Sequence, residues 1–164
     1  MGLLATSASA QRDRRTFFLA QLLFWMLRAP DGHAKNFSLF ILPTGAYALT
    51  PLYDVMSAWP VIGEGPNQLS AHKVKLAMAV RTTNAHWRMK DILPRHWVEI
   101  GKRYGVLDED GQTAKSVIHG IVEQTPQVVA SIESSLPRGF PESVSGPILH
   151  GLQQASEQLA RTSD

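Results

Sequence analysis

The 164-residue sequence predicts a mostly α-helical protein that carries one small β-hairpin, and three features lead there. Residues 16–28, TFFLAQLLFWMLR, are apolar at nearly every position, which fits a helix buried around most of its circumference. Residues 37–42 (FSLFIL) and 46–52 (AYALTPL) are short runs of β-formers flanking Pro43-Thr44-Gly45, a turn sequence, so they read as a hairpin. From about residue 84 the pattern is helical to the end. With 44% apolar and 18% charged residues, the chain has the composition of one globular domain around one core.

Taken in order, residues 1–11 are small and polar and are expected as a flexible start, with the folded domain over residues 12–164. The buried helix is expected to stop at Pro30, since a residue preceding proline is pushed out of the helical region. A polar loop at 31–36 leads into the hairpin, and a Gly/Pro-rich loop occupies residues 60–70. Asn84 is expected to cap a short helix running to Leu93. Pro94 opens another, which runs to Tyr104 and stops at Gly105. Residues 113–124 are amphipathic, with Ala114, Val117, Ile118, Ile121 and Val122 on one side. Thr125-Pro126 is expected to restart a separate helix to about Ser135, and residues 142–161 form a terminal helix. The four tryptophans, Trp25, Trp59, Trp87 and Trp97, are expected to pack inside.

Composition also excludes functions. The chain has no cysteine, which removes disulfides, thiolate nucleophiles and cysteine-ligated zinc. No apolar run reaches the roughly 18 residues that span a bilayer, and the first ten residues lack a secretory pattern, so a cytoplasmic location is expected. Charge is uneven: residues 72–103 hold eight Lys/Arg against two Asp/Glu, and residues 104–164 hold three against eight. These are two solvated faces, or one surface that attracts an acidic partner. An aromatic and basic surface of His86-Trp87-Arg88 and Arg95-His96-Trp97 is a candidate for nucleic-acid contact.

The chemistry concentrates between residues 31 and 54. Asp31 and Asn36 share one loop with four residues between them, and Asp54 follows the second strand. A hairpin returns the chain to its origin, so Asp54 is expected beside that loop. Carboxylate and amide oxygens are hard ligands suited to Mg²⁺, and a neighbouring carboxylate can accept a proton from an attacking hydroxyl. Each residue also has a plainer role open to it. Asp31 and Asn36 could be loop or turn residues, and Asp54 could begin a helix. His33 could pack in the loop, bond a carboxylate or bind a metal. The second is favoured, because no second histidine lies nearby. Lys35 could neutralise transferred phosphate or be a surface charge.

A buried helix, a D-x-x-x-x-N loop, a hairpin and a second Asp follow the order found in protein kinases. The strings DGHAKNFSLF (31–40) and LTPLYDVMSAWP (49–60) are more specific. With KLAMAV (75–80) and ILPRHW (92–97), the sequence from about Arg12 resembles the HipA family, the serine/threonine protein kinases of bacterial toxin–antitoxin systems. The resemblance implies a helical C-terminal kinase lobe whose hairpin carries the active-site loop. It implies Asp31 as catalytic base, Asn36 and Asp54 as Mg²⁺ ligands, and His33 and Lys35 at positions usually His and Lys in the family, where they would serve cofactor binding and catalysis. It implies MgATP as cofactor and phosphate donor, a protein substrate such as an aminoacyl-tRNA synthetase, and a HipB-like DNA-binding antitoxin, with DNA met only through that partner.

Such kinases grip ATP with an N-terminal lobe that holds a phosphate-binding loop and a lysine. No G-x-G-x-x-G or G-x-x-x-x-G-K-[ST] occurs in this chain. The expectation is therefore a C-terminal lobe alone, inactive without an N-lobe chain or segment. The alternative is a non-catalytic module that binds the antitoxin, a substrate or a separate N-lobe.

Overall fold

A computed structural model describes residues 1–43 and 45–161. Four helices dominate, α1 (Ala10–Met26), α2 (Pro94–Arg103), α3 (Ala114–Ser135) and α4 (Glu142–Ala160). Two antiparallel hairpins complete the fold, β1 (Leu39–Ile41) with β2 (Tyr47–Leu49), and β3 (Lys75–Arg81) with β4 (Ala85–Arg88). No helix among the described residues is long and apolar enough to cross a membrane.

The α1 helix forms the centre of the core, as its all-round apolarity requires. Phe18, Leu22, Phe24, Trp25 and Met26 are almost completely buried, and Trp25 also donates its indole N–H to the Met89 carbonyl at 2.9 Å. Residues 1–11 are more structured than their composition suggests: a 3₁₀ turn spans Leu3–Thr6, Leu4 is buried, and Ala10 already belongs to α1. The helix ends at Met26, four residues before Pro30. The break comes at Arg28, whose φ of 52° is left-handed. Its guanidinium lies against the faces of Trp25 (5.5 Å) and Trp59 (5.3 Å).

The first hairpin forms as expected, with Leu39 opposite Leu49 and Ile41 opposite Tyr47. Of its turn Pro43-Thr44-Gly45, Thr44 lies outside the described residues. Residues 84–93 correct the expected helix. They are the turn residue Asn84, strand β4 and a 3₁₀ turn at Met89–Asp91, so the molecule has a second hairpin. Asparagine suits turns as well as helix caps, and Leu76 and Val80 of β3 are buried in the core that the pairing closes.

A second correction concerns Pro126. It does not separate two helices; α3 runs through it. A proline cannot donate to the carbonyl four residues back, here Val122. That carbonyl instead faces the Ser156 hydroxyl of α4 at 3.5 Å, and α3 and α4 pack extensively. On the other side of α4, Gly151 permits contact with Trp59: a Cβ at Gly151 would lie 2.2 Å from the indole. The tryptophans divide accordingly. Trp25 and Trp97 are interior and Trp59 is half-buried, but Trp87 is 45% exposed, against expectation.

Candidate active site

The 31–36 loop sits directly on α1. A Cβ on Gly32 would lie 2.3 Å from the Phe24 ring, so only glycine lets the loop approach the core this closely. Phe37, at the end of the loop, packs its ring against Phe17 (4.7 Å) and Phe24 (6.0 Å). The hairpin is fixed from the same helix by a buried carboxylate. Asp13, 1% exposed, accepts the Leu49 backbone N–H at 2.9 Å. Sequence reasoning missed Asp13, because nothing local marks an aspartate as buried.

On this support the hairpin does bring its two ends together. Asn36 is buried, and its Nδ2 donates to Asp54 Oδ2 at 2.7 Å. Its Oδ1 accepts the His33 backbone N–H at 3.0 Å, and that N–H is shared with the Asp31 carbonyl at 2.8 Å. His33 Nε2 stands 3.8 Å from Asp31 Oδ1, within ion-pair range when the imidazole is protonated but too long for a hydrogen bond. His33 Nδ1 is buried without a partner. Asp31, Lys35 and Asp54 are exposed. The Lys35 side chain makes no ion pair among the described residues, while its carbonyl accepts the Tyr53 hydroxyl at 2.8 Å. Asp54 adopts a left-handed φ of 55°, unusual for a side-chain-bearing residue and tolerated best by Asn and Asp.

The donor set suits a hard cation. Among the described residues no group of three or more His, Cys, Asp or Glu is placed to hold a metal. The oxygens that remain are Asp54 Oδ1, which makes no hydrogen bond among the described residues, the second lone pair of Asn36 Oδ1 and the exposed Asp31 carboxylate. Carboxylate and amide oxygens are hard donors of the kind that Mg²⁺ takes, whereas zinc sites favour nitrogen and sulfur.

The expected aromatic and basic surface does not form as one patch. Trp97 and His96 point inward, His96 stacking on His86 with ring centroids 4.0 Å apart. Trp87 remains outside, where it lines a shallow depression with Lys75, Arg88 and Asp91. Apolar side chains are exposed along the first hairpin and its exit: Phe40, Ile41 and Leu42 at and just after β1, and Tyr53, Val55 and Met56 beyond β2.

Comparison with known proteins bears on the family and the fold. The model of the HipA-like C-terminal domain matches residues 1–129. The fold is similar to a chain in the solved complex of the Shewanella oneidensis MR-1 toxin–antitoxin system HipA, HipB and its operator DNA, with a TM-score of 0.70 at 21% identity. That likeness covers 98% of this chain but 34% of the other, so the chain spans about a third of the protein it resembles.

Proposed function

This chain belongs to the HipA-like C-terminal domain family, and on that premise we propose that it is the C-terminal catalytic lobe of a cytoplasmic serine/threonine protein kinase of a toxin–antitoxin system. The observation that carries the reading is the 2.7 Å contact between Asn36 and Asp54, formed across the hairpin from the loop that begins with Asp31.

In the proposed reaction a serine or threonine hydroxyl of the protein substrate attacks the γ-phosphorus of ATP. An O–P bond forms, the bond to the ADP oxygen breaks, and the hydroxyl proton passes to Asp31. Asn36 and Asp54 would hold Mg²⁺, which when bound neutralises charge on the phosphate oxygens. His33, 3.8 Å from the Asp31 carboxylate, would border the nucleotide. Lys35, exposed on the same loop, would neutralise charge on the transferred phosphate.

The exposed apolar residues Val55 and Met56, next to Asp54 in sequence, would be covered by an ATP-gripping lobe. Much of a kinase's rate comes from positioned phosphates, so the 164-residue chain by itself should bind MgATP weakly and turn over negligibly. A HipB-like antitoxin is the proposed regulatory partner, because the structurally similar chain was solved with HipB and operator DNA. An aminoacyl-tRNA synthetase is the proposed substrate class.

The test is transfer of radiolabelled γ-phosphate to a protein substrate, by the chain alone and joined to a HipA-type N-lobe. Turnover only in the joined form, abolished by Asp31→Asn, supports the reading. Turnover insensitive to Asp31→Asn contradicts it. A joined form that never turns over but still binds an antitoxin would favour the non-catalytic module.

A further inference from the structure

The segment that carries Asp54 is held almost entirely by side chains. The ladder of the first hairpin ends where the Thr50 N–H meets the Ser38 carbonyl at 3.0 Å. Beyond it, the backbone of residues 52–56 makes no hydrogen bond among the described residues. Regular backbone pairing returns only after Ser57, whose hydroxyl donates to the Leu27 carbonyl at 2.7 Å. Between these anchors lie two polar ties, both to the 31–38 stretch. One is Asn36 to Asp54. The other is the Tyr53 hydroxyl, which donates to the Lys35 carbonyl at 2.8 Å and meets Ser38 Oγ at 2.7 Å.

Left-handed backbone at a non-glycine residue costs about 1 kcal/mol, so Asp54 needs an external restraint to stay there. Asn36 alone is a single contact to an exposed carboxylate. Tyr53, the adjacent residue, fixes the chain one peptide unit away and to the same loop. Its ring is 43% exposed, so its hydroxyl contributes little to the core.

We propose that the Tyr53 hydroxyl is the latch that holds Asp54 opposite Asn36, which makes Tyr53 a positioning residue of this site. Tyr53 neither reacts nor binds a ligand. It acts on Asp54 through one backbone link, and Ser38 completes the hydroxyl's bonding by donating to it. The inference deepens the phosphoryl-transfer reading but does not need it, because the geometry that it concerns exists without nucleotide or metal.

The experiment uses the ¹⁵N-labelled 164-residue chain and its Tyr53→Phe and Ser38→Ala variants. The first readout is hydrogen exchange of the Asn36 side-chain amide, which reports its bond to Asp54. The second is the dissociation constant for Mn²⁺, followed by electron paramagnetic resonance. Tyr53→Phe should keep the melting temperature, speed exchange of the Asn36 amide, and weaken Mn²⁺ binding about 10-fold, the usual size of an outer-shell effect. Ser38→Ala should shift both readouts in the same direction by less. An Asn36 amide unchanged in Tyr53→Phe overturns the latch. No saturable Mn²⁺ binding by the parent chain, with the amide still released in Tyr53→Phe, overturns the metal reading and leaves the latch standing.

Discussion

The centre of α1 and the exit from β2 both contact the 31–36 loop and are held in opposite ways. Phe18, Leu22, Phe24, Trp25 and Met26 are enclosed on every side, so each has many neighbours that share its restraint. Residues 52–56 have exposed side chains for the most part and, among the described residues, no backbone hydrogen bond and two polar ties. The first arrangement is redundant and stable. The second is sparse, open to solvent and depends on single contacts. In the proposed function the carboxylates must meet substrate and so cannot be buried. The core therefore supplies rigidity from below, through Phe24 against Gly32 and Asp13 beneath Leu49, while a few side chains aim the oxygens above.

Hydrogen exchange should show the largest contrast. Amides of Leu22, Phe24 and Trp25 should exchange only through global unfolding, commonly about 5–15 kcal/mol for a domain. Amides of residues 52–56 should exchange at close to unprotected rates. Protection at Val55 or Met56 would break the comparison. Next in size, Phe24→Ala should cost about 3–5 kcal/mol in denaturant titration, because it leaves a void under Gly32. Leu23→Ala should cost less, since Leu23 is only partly buried. Equal losses would mean that burial does not set the difference.

Asp13→Ala should follow, at about 1–3 kcal/mol, by leaving the Leu49 N–H without its acceptor. The Leu49 amide should lose protection first. A loss confined to α1 would show that the carboxylate does not anchor the hairpin.

The smallest effect sharpens the stable half. Burial, the His86 imidazole and the Arg95 guanidinium hold the His96 imidazole below its ordinary value, with Glu99 opposing. His96 Nδ1 also accepts the Leu93 N–H at the start of α2 at 3.2 Å, which needs an unprotonated nitrogen. The unfolded chain then binds more protons, so stability should be full above the unfolded value of about 6.5 and fall as pH drops through the lowered one. Denaturant titrations between pH 5 and 8 should show this slope and its flattening in His96→Gln. A slope of opposite sign would place a favourable charge on His96.

The same division explains what the sequence makes legible. The buried helix and the first hairpin follow from local patterns, an apolar run and β-formers around a turn. So does the meeting of Asn36 and Asp54, since a hairpin must return. The second hairpin does not, because Asn84 serves a turn or a cap equally well and the choice is made by burial of Leu76 and Val80. The Val122 carbonyl that Pro126 leaves free within α3 faces Ser156, 34 residues away in sequence. Asp13 and Tyr53 act through partners that only the folded chain brings near. Contacts made at a distance in sequence are the ones that local pattern leaves out.

The central proposal is that Asn36 and Asp54 hold one cation at the base of the first hairpin, with Asp31 on the same loop as Asn36. Mn²⁺ titration of the ¹⁵N-labelled chain tests it most directly, because the paramagnetic ion broadens nearby resonances first. The account predicts that signals of Asp31, His33, Asn36 and Asp54 vanish together at the lowest Mn²⁺ additions, and that Asp54→Asn removes the effect. The chain holds an internal competitor in the acidic loop of Asp108, Glu109 and Asp110. Broadening that begins there, with the 31–54 signals untouched, would contradict the account.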